Sequence, residues 1–186
     1  MAVLLVHGIW DDGARFDVMR RALERRGHTV RAIDLRPNDG SVSVEHMAEQ
    51  VDGAARALGS AIDLVGFSMG ALVSRYWIQR GEGRARVRRF VSISGPHHGT
   101  ATAYALPLAG VRQMRPGSVL LRSLARDTDP WGDVDVHTVW TPMDLMILPP
   151  RSSRLPGATE HRVPVPLHRW MITDRRVVER VAGILG

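Results

Sequence analysis

Val65-Gly66-Phe67-Ser68-Met69-Gly70 decides how the rest of the chain is read. Ala61 to Phe67 is a predicted strand and Met69 to Gln79 a predicted helix, so one residue, Ser68, separates the two. Gly66 to Gly70 matches G-x-S-x-G, and the strand-to-helix context is what gives that pattern weight. The glycines two residues either side of the serine let strand and helix approach without a Cβ clash. The serine is expected in a strained backbone conformation that projects its hydroxyl from the sheet edge. The positive N-terminal end of the following helix lies beneath the charge that forms during acyl transfer. Ser68 is the expected nucleophile.

On either side of this elbow, strand and helix signals alternate. Ala2 to Val6 is a continuous apolar run, as expected of a buried parallel strand. Phe16 to Arg26 has helical spacing and stops at Gly27. Thr29 to Leu35 reads as a strand, and Val44 to Leu58 as an amphipathic helix with Ser43 as its cap. Phe90 to Ser94 and Val134 to Trp140 follow as strands, Glu160 to Val165 as a weaker one, and Arg175 to Leu185 as a closing helix with Asp174 as its cap. The segment 101–133 is irregular, with one short helical stretch near Val119 to Leu124. Strands separated by helices imply βαβ units and a mostly parallel sheet of about six strands with helices on both faces. In such sheets the site lies at the carboxyl ends of the strands.

The 186 residues fit one domain, 1–186, and the 44% hydrophobic content supports an adequate core. No cysteine is present, which excludes disulfides, cysteine metal sites and thiol catalysis. The net charge of +6 comes from 25 basic residues, all of them Arg. Those at Arg15 to Arg26 and at Arg84 to Arg89 are spread among polar positions without interleaved aromatics, so a solvated surface is expected and no nucleic-acid partner. No signal peptide opens the chain, so it is expected in the cytoplasm as written, and outside the cell if it is a mature form with an added Met.

Acyl transfer needs two preorganised N–H donors for the oxyanion. One is expected from Met69, the residue after the nucleophile. The other is expected from Ile9, in Val6-His7-Gly8-Ile9 at the end of the first strand, where His7 is read as a brace for the loop. Among eight histidines, His168 lies in a loop before the last helix and is the expected base, with His161 the weaker choice. His97 and His98 fall at the correct end of the sheet but too early for the chain order Ser, acid, His. Asp144, just past the fifth strand, is the expected acid that orients His168, with Asp34 as a minor rival.

These pieces together resemble the small bacterial lipases and esterases of the α/β-hydrolase superfamily, similar to the minimal lidless Bacillus-type lipases. The resemblance rests on Val6-His7-Gly8-Ile9, on Gly66-Phe67-Ser68-Met69-Gly70, on Ser94-Gly95-Pro96-His97-His98-Gly99-Thr100, on Thr141 to Asp144, and on His168 before the last helix. It implies an α/β-hydrolase fold with a truncated sheet, little or no cap domain, and hydrolysis of fatty-acid esters through an acyl-enzyme. It also implies Ser68, Asp144 and His168 as triad and Ile9 and Met69 as oxyanion donors. The segment 101–133 is long enough for a small flap over the site. Trp10, Leu106, Leu108, Leu145, Met146 and Ile147 are candidates for an acyl-chain groove, with core packing as their alternative. The partners expected are a small-molecule ester or lipid substrate and transient contact with a lipid interface, for a monomer. No clustered carboxylates have the oxygen-ligand spacing of a calcium site, so neither metal nor cofactor is expected. A thioesterase or acyltransferase using the same triad is the alternative, and a non-catalytic hydrolase-like binding protein the more distant one.

Overall fold

The computed structural model describes residues 1–59 and 61–186. In chain order the elements are β1 (Ala2–Val6), α1 (Asp17–Glu24), β2 (Thr29–Ile33), α2 (Val44–Arg56), β3 (Ile62–Phe67), α3 (Met69–Arg80), α4 (Gly83–Arg86) and β4 (Val87–Ile93). They continue with α5 (Ala109–Gln113), α6 (Val119–Ala125), β5 (Asp135–Trp140), β6 (Thr159–Arg162) and α7 (Arg175–Leu185). The six strands form one sheet in the order β2-β1-β3-β4-β5-β6. Every neighbouring pair is parallel.

The two-residue period of each strand sorts its side chains between two cores. Leu4, Val6, Ile62 and Leu64 face Met47 and Val51 of α2 and Leu72 and Val73 of α3. Val3, Leu5, Val65 and Phe67 face Met19 and Leu23 of α1 and Val177 and Val181 of α7. Burial on both faces explains why β1 and β3 are near-continuous apolar runs. The strand order turns back at β1, between β2 and β3, so a crevice opens at the carboxyl ends of β1 and β3.

Several boundaries shift from the sequence reading, and those of β4 and β6 have identifiable causes. β4 begins at Val87 rather than Phe90, because Arg88 donates to the fully buried Asp63 at 3.0 and 2.7 Å and Arg89 continues the ladder opposite Asp63. β6 ends at Arg162 because Pro164 has no N–H to extend the ladder. The segment 101–133, long enough for a small flap, has apolar side chains packed against α2 and α3. Ala103, Val111, Met114, Leu120, Leu121 and Leu124 belong to the α2–α3 core. Gln79 and Arg80 of α3 hold Asp127 at 2.7 and 2.6 Å, and Gln113 accepts from the Val44 amide at 2.7 Å. No helix among the described residues is long and apolar enough to cross a membrane.

Candidate active site

The elbow forms because its two glycines meet backbone. A Cβ on Gly66 would stand 2.6 Å from the Cα of Ala71, and one on Gly70 would run into the carbonyl oxygens of Val6 and His7. Ser68 has φ 53° and ψ −123°, a conformation that costs a non-glycine residue on the order of 1–3 kcal/mol. The Ser68 amide donates to the Ile93 carbonyl at 2.9 Å, which ties the turn to β4. The serine thus stands at the N-terminus of α3 with its backbone held from both sides.

The β1 loop lies beside it. The Leu35 amide donates to His7 Nε2 at 2.9 Å, and His7 Nδ1 lies 2.8 Å from the Gly8 carbonyl oxygen. These partners assign the ring proton to Nδ1, and both nitrogens are occupied as a brace. The Trp10 amide donates to the Asn38 carbonyl at 2.7 Å, and Asn38 Nδ2 donates to the Asp11 carbonyl at 2.6 Å. With neighbouring amides committed, no acceptor is paired among the described residues with the N–H of Ile9 or of Met69. A free helix N-terminal amide and a free loop amide are the kinds of donor that bind an anion.

Asp144 and His168, 24 residues apart in sequence, meet: His168 Nδ1 lies 2.8 Å from Asp144 Oδ2. The other carboxylate oxygen accepts from the amides of Met146 and Ile147, each at 2.9 Å. Asp144 is 1% exposed, so three donors compensate its burial and fix its plane. Thr141 Oγ1 donates to the Val165 carbonyl at 2.7 Å and stitches the acid turn to the chain that leads into His168. Thr100 Oγ1 contacts the Met146 carbonyl at 2.7 Å and accepts from the Leu148 amide at 2.8 Å, bracing the other side of the acid turn. The Phe67 ring, 4.9 Å between centroids, backs the His168 imidazole.

Ile9, Trp10, Ser68, Met146, His168 and Arg169 line one cleft of about 330 Å³. A second groove of about 630 Å³ shares Met146 and His168 with it and adds Leu145, Leu167 and Trp170. Trp10, Leu145 and Trp170 are at least half exposed, at 59%, 70% and 50%. A larger hollow of about 740 Å³, lined by Tyr76, Arg80, Arg115 and Ser118, lies away from Ser68 and holds no paired nucleophile and base.

The remaining candidates go elsewhere. Ile147 is 3% exposed and serves Asp144 through its amide, not a groove through its side chain. Leu106 and Leu108 pack against the α2–α3 core. Asp34 accepts from the Gly13 amide at 2.8 Å, which holds its carboxyl below the usual range. His161 faces His137 rather than Ser68. His97 is buried with Nε2 2.6 Å from Ser92 Oγ, and burial followed by the Arg75 charge pushes its proton affinity well down. Asn38 gave no signal in the sequence, since its role depends on a loop 28 residues away. No group of three or more His, Cys, Asp or Glu side chains suited to a metal ion is found among the described residues.

A family profile described as palmitoyl protein thioesterase matches residues 2–143. The chain belongs to that family. Membership makes it an ester hydrolase on the α/β-hydrolase fold, as the lipase-like motifs implied. Solved structures agree on the fold. The mature form of the Bacillus licheniformis lipase BlEst2 superposes with TM-score 0.80 at 17% identity, covering 99% of this chain and 91% of that one. The Paleococcus ferrophilus monoacylglycerol lipase gives 0.76 at 16% identity, with 99% and 91% covered. Aspergillus fumigatus lipase B gives 0.76 at 18% identity; 92% of this chain is covered, and the chain spans 49% of that protein. No curated protein matches the sequence.

Proposed function

We propose that the chain hydrolyses fatty-acyl esters through a Ser68-His168-Asp144 triad and a covalent acyl-enzyme. The observation that carries this reading is the Asp144–His168 hydrogen bond of 2.8 Å in a cleft that His168 shares with Ser68. His168 Nε2 takes the Ser68 proton as Oγ attacks the ester carbonyl carbon. The N–H groups of Ile9 and Met69 hold the resulting oxyanion. The carbonyl re-forms, the C–O bond to the alcohol breaks, and His168 returns its proton to the leaving oxygen. Water then gives a proton to His168 and attacks the acyl-enzyme, releasing the acid and restoring Ser68. Asp144 stays ionised and stabilises the imidazolium. The exposed apolar rim of Trp10, Leu145, Leu167 and Trp170 receives the acyl chain and makes transient contact with a lipid surface.

The family match supports a second reading, in which the leaving group is a thiol and the same steps cleave a thioester. The test is one activity series: p-nitrophenyl esters of rising chain length beside acyl thioesters of the same chains. Oxygen esters are expected to turn over with a preference for medium or long chains, and faster thioester turnover would favour the second reading. Ser68→Ala is expected to remove both activities, and persistence of hydrolysis in that variant would overturn the mechanism.

A further inference from the structure

On the outer pair of strands, β5 and β6, two imidazoles meet. His137 of β5 and His161 of β6 are diagonal neighbours on one face of the parallel pair, since His161 stands opposite Val139. Their rings stack at 5.3 Å with 19° between planes, and His137 Nδ1 lies 3.1 Å from His161 Nε2. The other nitrogen of His137, Nε2, is 3.1 Å from Asp135 Oδ1. Asp135 is held in turn by Arg89 at 3.6 Å.

We propose that the facing nitrogens of His137 and His161 form a chelating site for a transition-metal ion such as Zn²⁺, Ni²⁺ or Cu²⁺. Three observations carry it. An ion bonded to both nitrogens at about 2.0–2.1 Å, with the nitrogens at their present separation, subtends an angle of roughly 100°, within the range of tetrahedral and octahedral ligand fields. Asp135 Oδ1 stands 3.1 Å from His137 Nε2 and favours the proton on that nitrogen, so Nδ1 turns its lone pair toward His161 Nε2, where an ion would displace the proton that His161 now donates. That carboxylate–histidine arrangement is the outer-sphere support metal-bound imidazoles ordinarily have. Neither histidine is fully buried, His137 keeping 13% of its side chain exposed, so water can reach the site to complete the coordination. The site escaped the sequence reading because that reading sought clustered oxygen ligands, and these two nitrogens are 24 residues apart. Arg180 of α7 places a positive charge near His161, so the affinity is lower than that of a four-ligand structural site. Bound metal would clamp the short edge strand β6 to β5.

The test uses the full chain after dialysis against a chelator. Zn²⁺ and Ni²⁺ are titrated by calorimetry, and the thermal midpoint is followed with and without metal. A single ion is expected to bind, and at tenfold excess over Kd the midpoint should rise by about 3–5 °C. His137→Ala and His161→Ala should each lose the shift. Asp135→Asn keeps both ligands and should weaken binding by about tenfold. His46→Ala and His98→Ala should bind as the unmodified chain does. Paramagnetic Ni²⁺ should broaden the His137 and His161 ring signals before those of other histidines. Absence of binding up to millimolar metal, or equal shifts in the His137 and His161 variants, would overturn the site.

Discussion

At the carboxyl edge of the sheet, three described non-glycine residues have positive φ: Trp10 at 58°, Ser68 at 53° and Ser94 at 47°. They stand beyond the ends of β1, β3 and β4. The amino edge is assembled from side-chain pairs instead: Arg88 with Asp63, and Arg89 with the Leu185 carbonyl at 2.9 Å and with Asp135 at 3.6 Å. Among the described residues, this backbone strain is confined to the edge that presents Ser68 and leaves amides free. The opposite edge is relaxed and supplies the cross-links that hold strands in register. Cross-linking and backbone strain are thus separated along the strand axis of one small sheet.

Three substitutions or conditions test that separation. The largest effect is expected at the carboxyl edge. Asp144→Asn keeps an oxygen for the Met146 and Ile147 amides but presents an NH₂ group to His168, so the ring loses its working tautomer. kcat should fall by about 10⁴-fold with the thermal midpoint shifted by only a few degrees. A loss of less than tenfold in an initial-rate assay would remove Asp144 from the triad.

At the amino edge the expected outcome is the reverse. Arg88→Met leaves the buried Asp63 carboxylate without its charged donor. Because the Arg88 side chain is 40% exposed, the loss is placed at the low end, about 1–2 kcal/mol, or about 3–6 °C in thermal midpoint. kcat/KM should stay within about twofold. A large drop in kcat/KM in well-folded protein would show that the two edges are coupled.

The smallest effect is expected on acidification. Burial holds the His97 imidazole well below its ordinary pKa in the folded chain, with further lowering from the Arg75 charge and from His98. Its neutral form is favoured by folding, so its contribution is intact above the unfolded pKa. It is lost as pH falls from about 6.5 toward the folded value, because the unfolded chain binds the proton more readily. Urea denaturation at pH 7.5 and 5.5 should show falling stability, with a shallower fall in His97→Asn. Equal slopes would assign the acid sensitivity to other groups.

Much of the frame was legible from local pattern. β1, β3, α2, α3 and α7 were readable because both-face burial, capping at Ser43 and Asp174, and the elbow glycines leave strong local signals. The meeting of Asp144 with His168 beside Ser68 was foreseeable because the fold dictates which strand ends come together. The start of β4 was not, since Arg88 and Arg89 look like surface residues until Asp63 is placed beside them. Neither was the docking of 101–133, whose short apolar pieces have no period long enough to announce a partner helix.

The sequence by itself determined the alternation of strand and helix, the tight turn at Ser68, and the order of Ser68, Asp144 and His168 along the chain. These follow from steric and periodic rules that act over a few residues. Only the tertiary structure decided which Ile9 and Met69 amides stand free, that Asn38 and Thr141 brace the loops, and that His137 faces His161. Each of these is a meeting of groups more than twenty residues apart, set by strand register and packing rather than by any local preference.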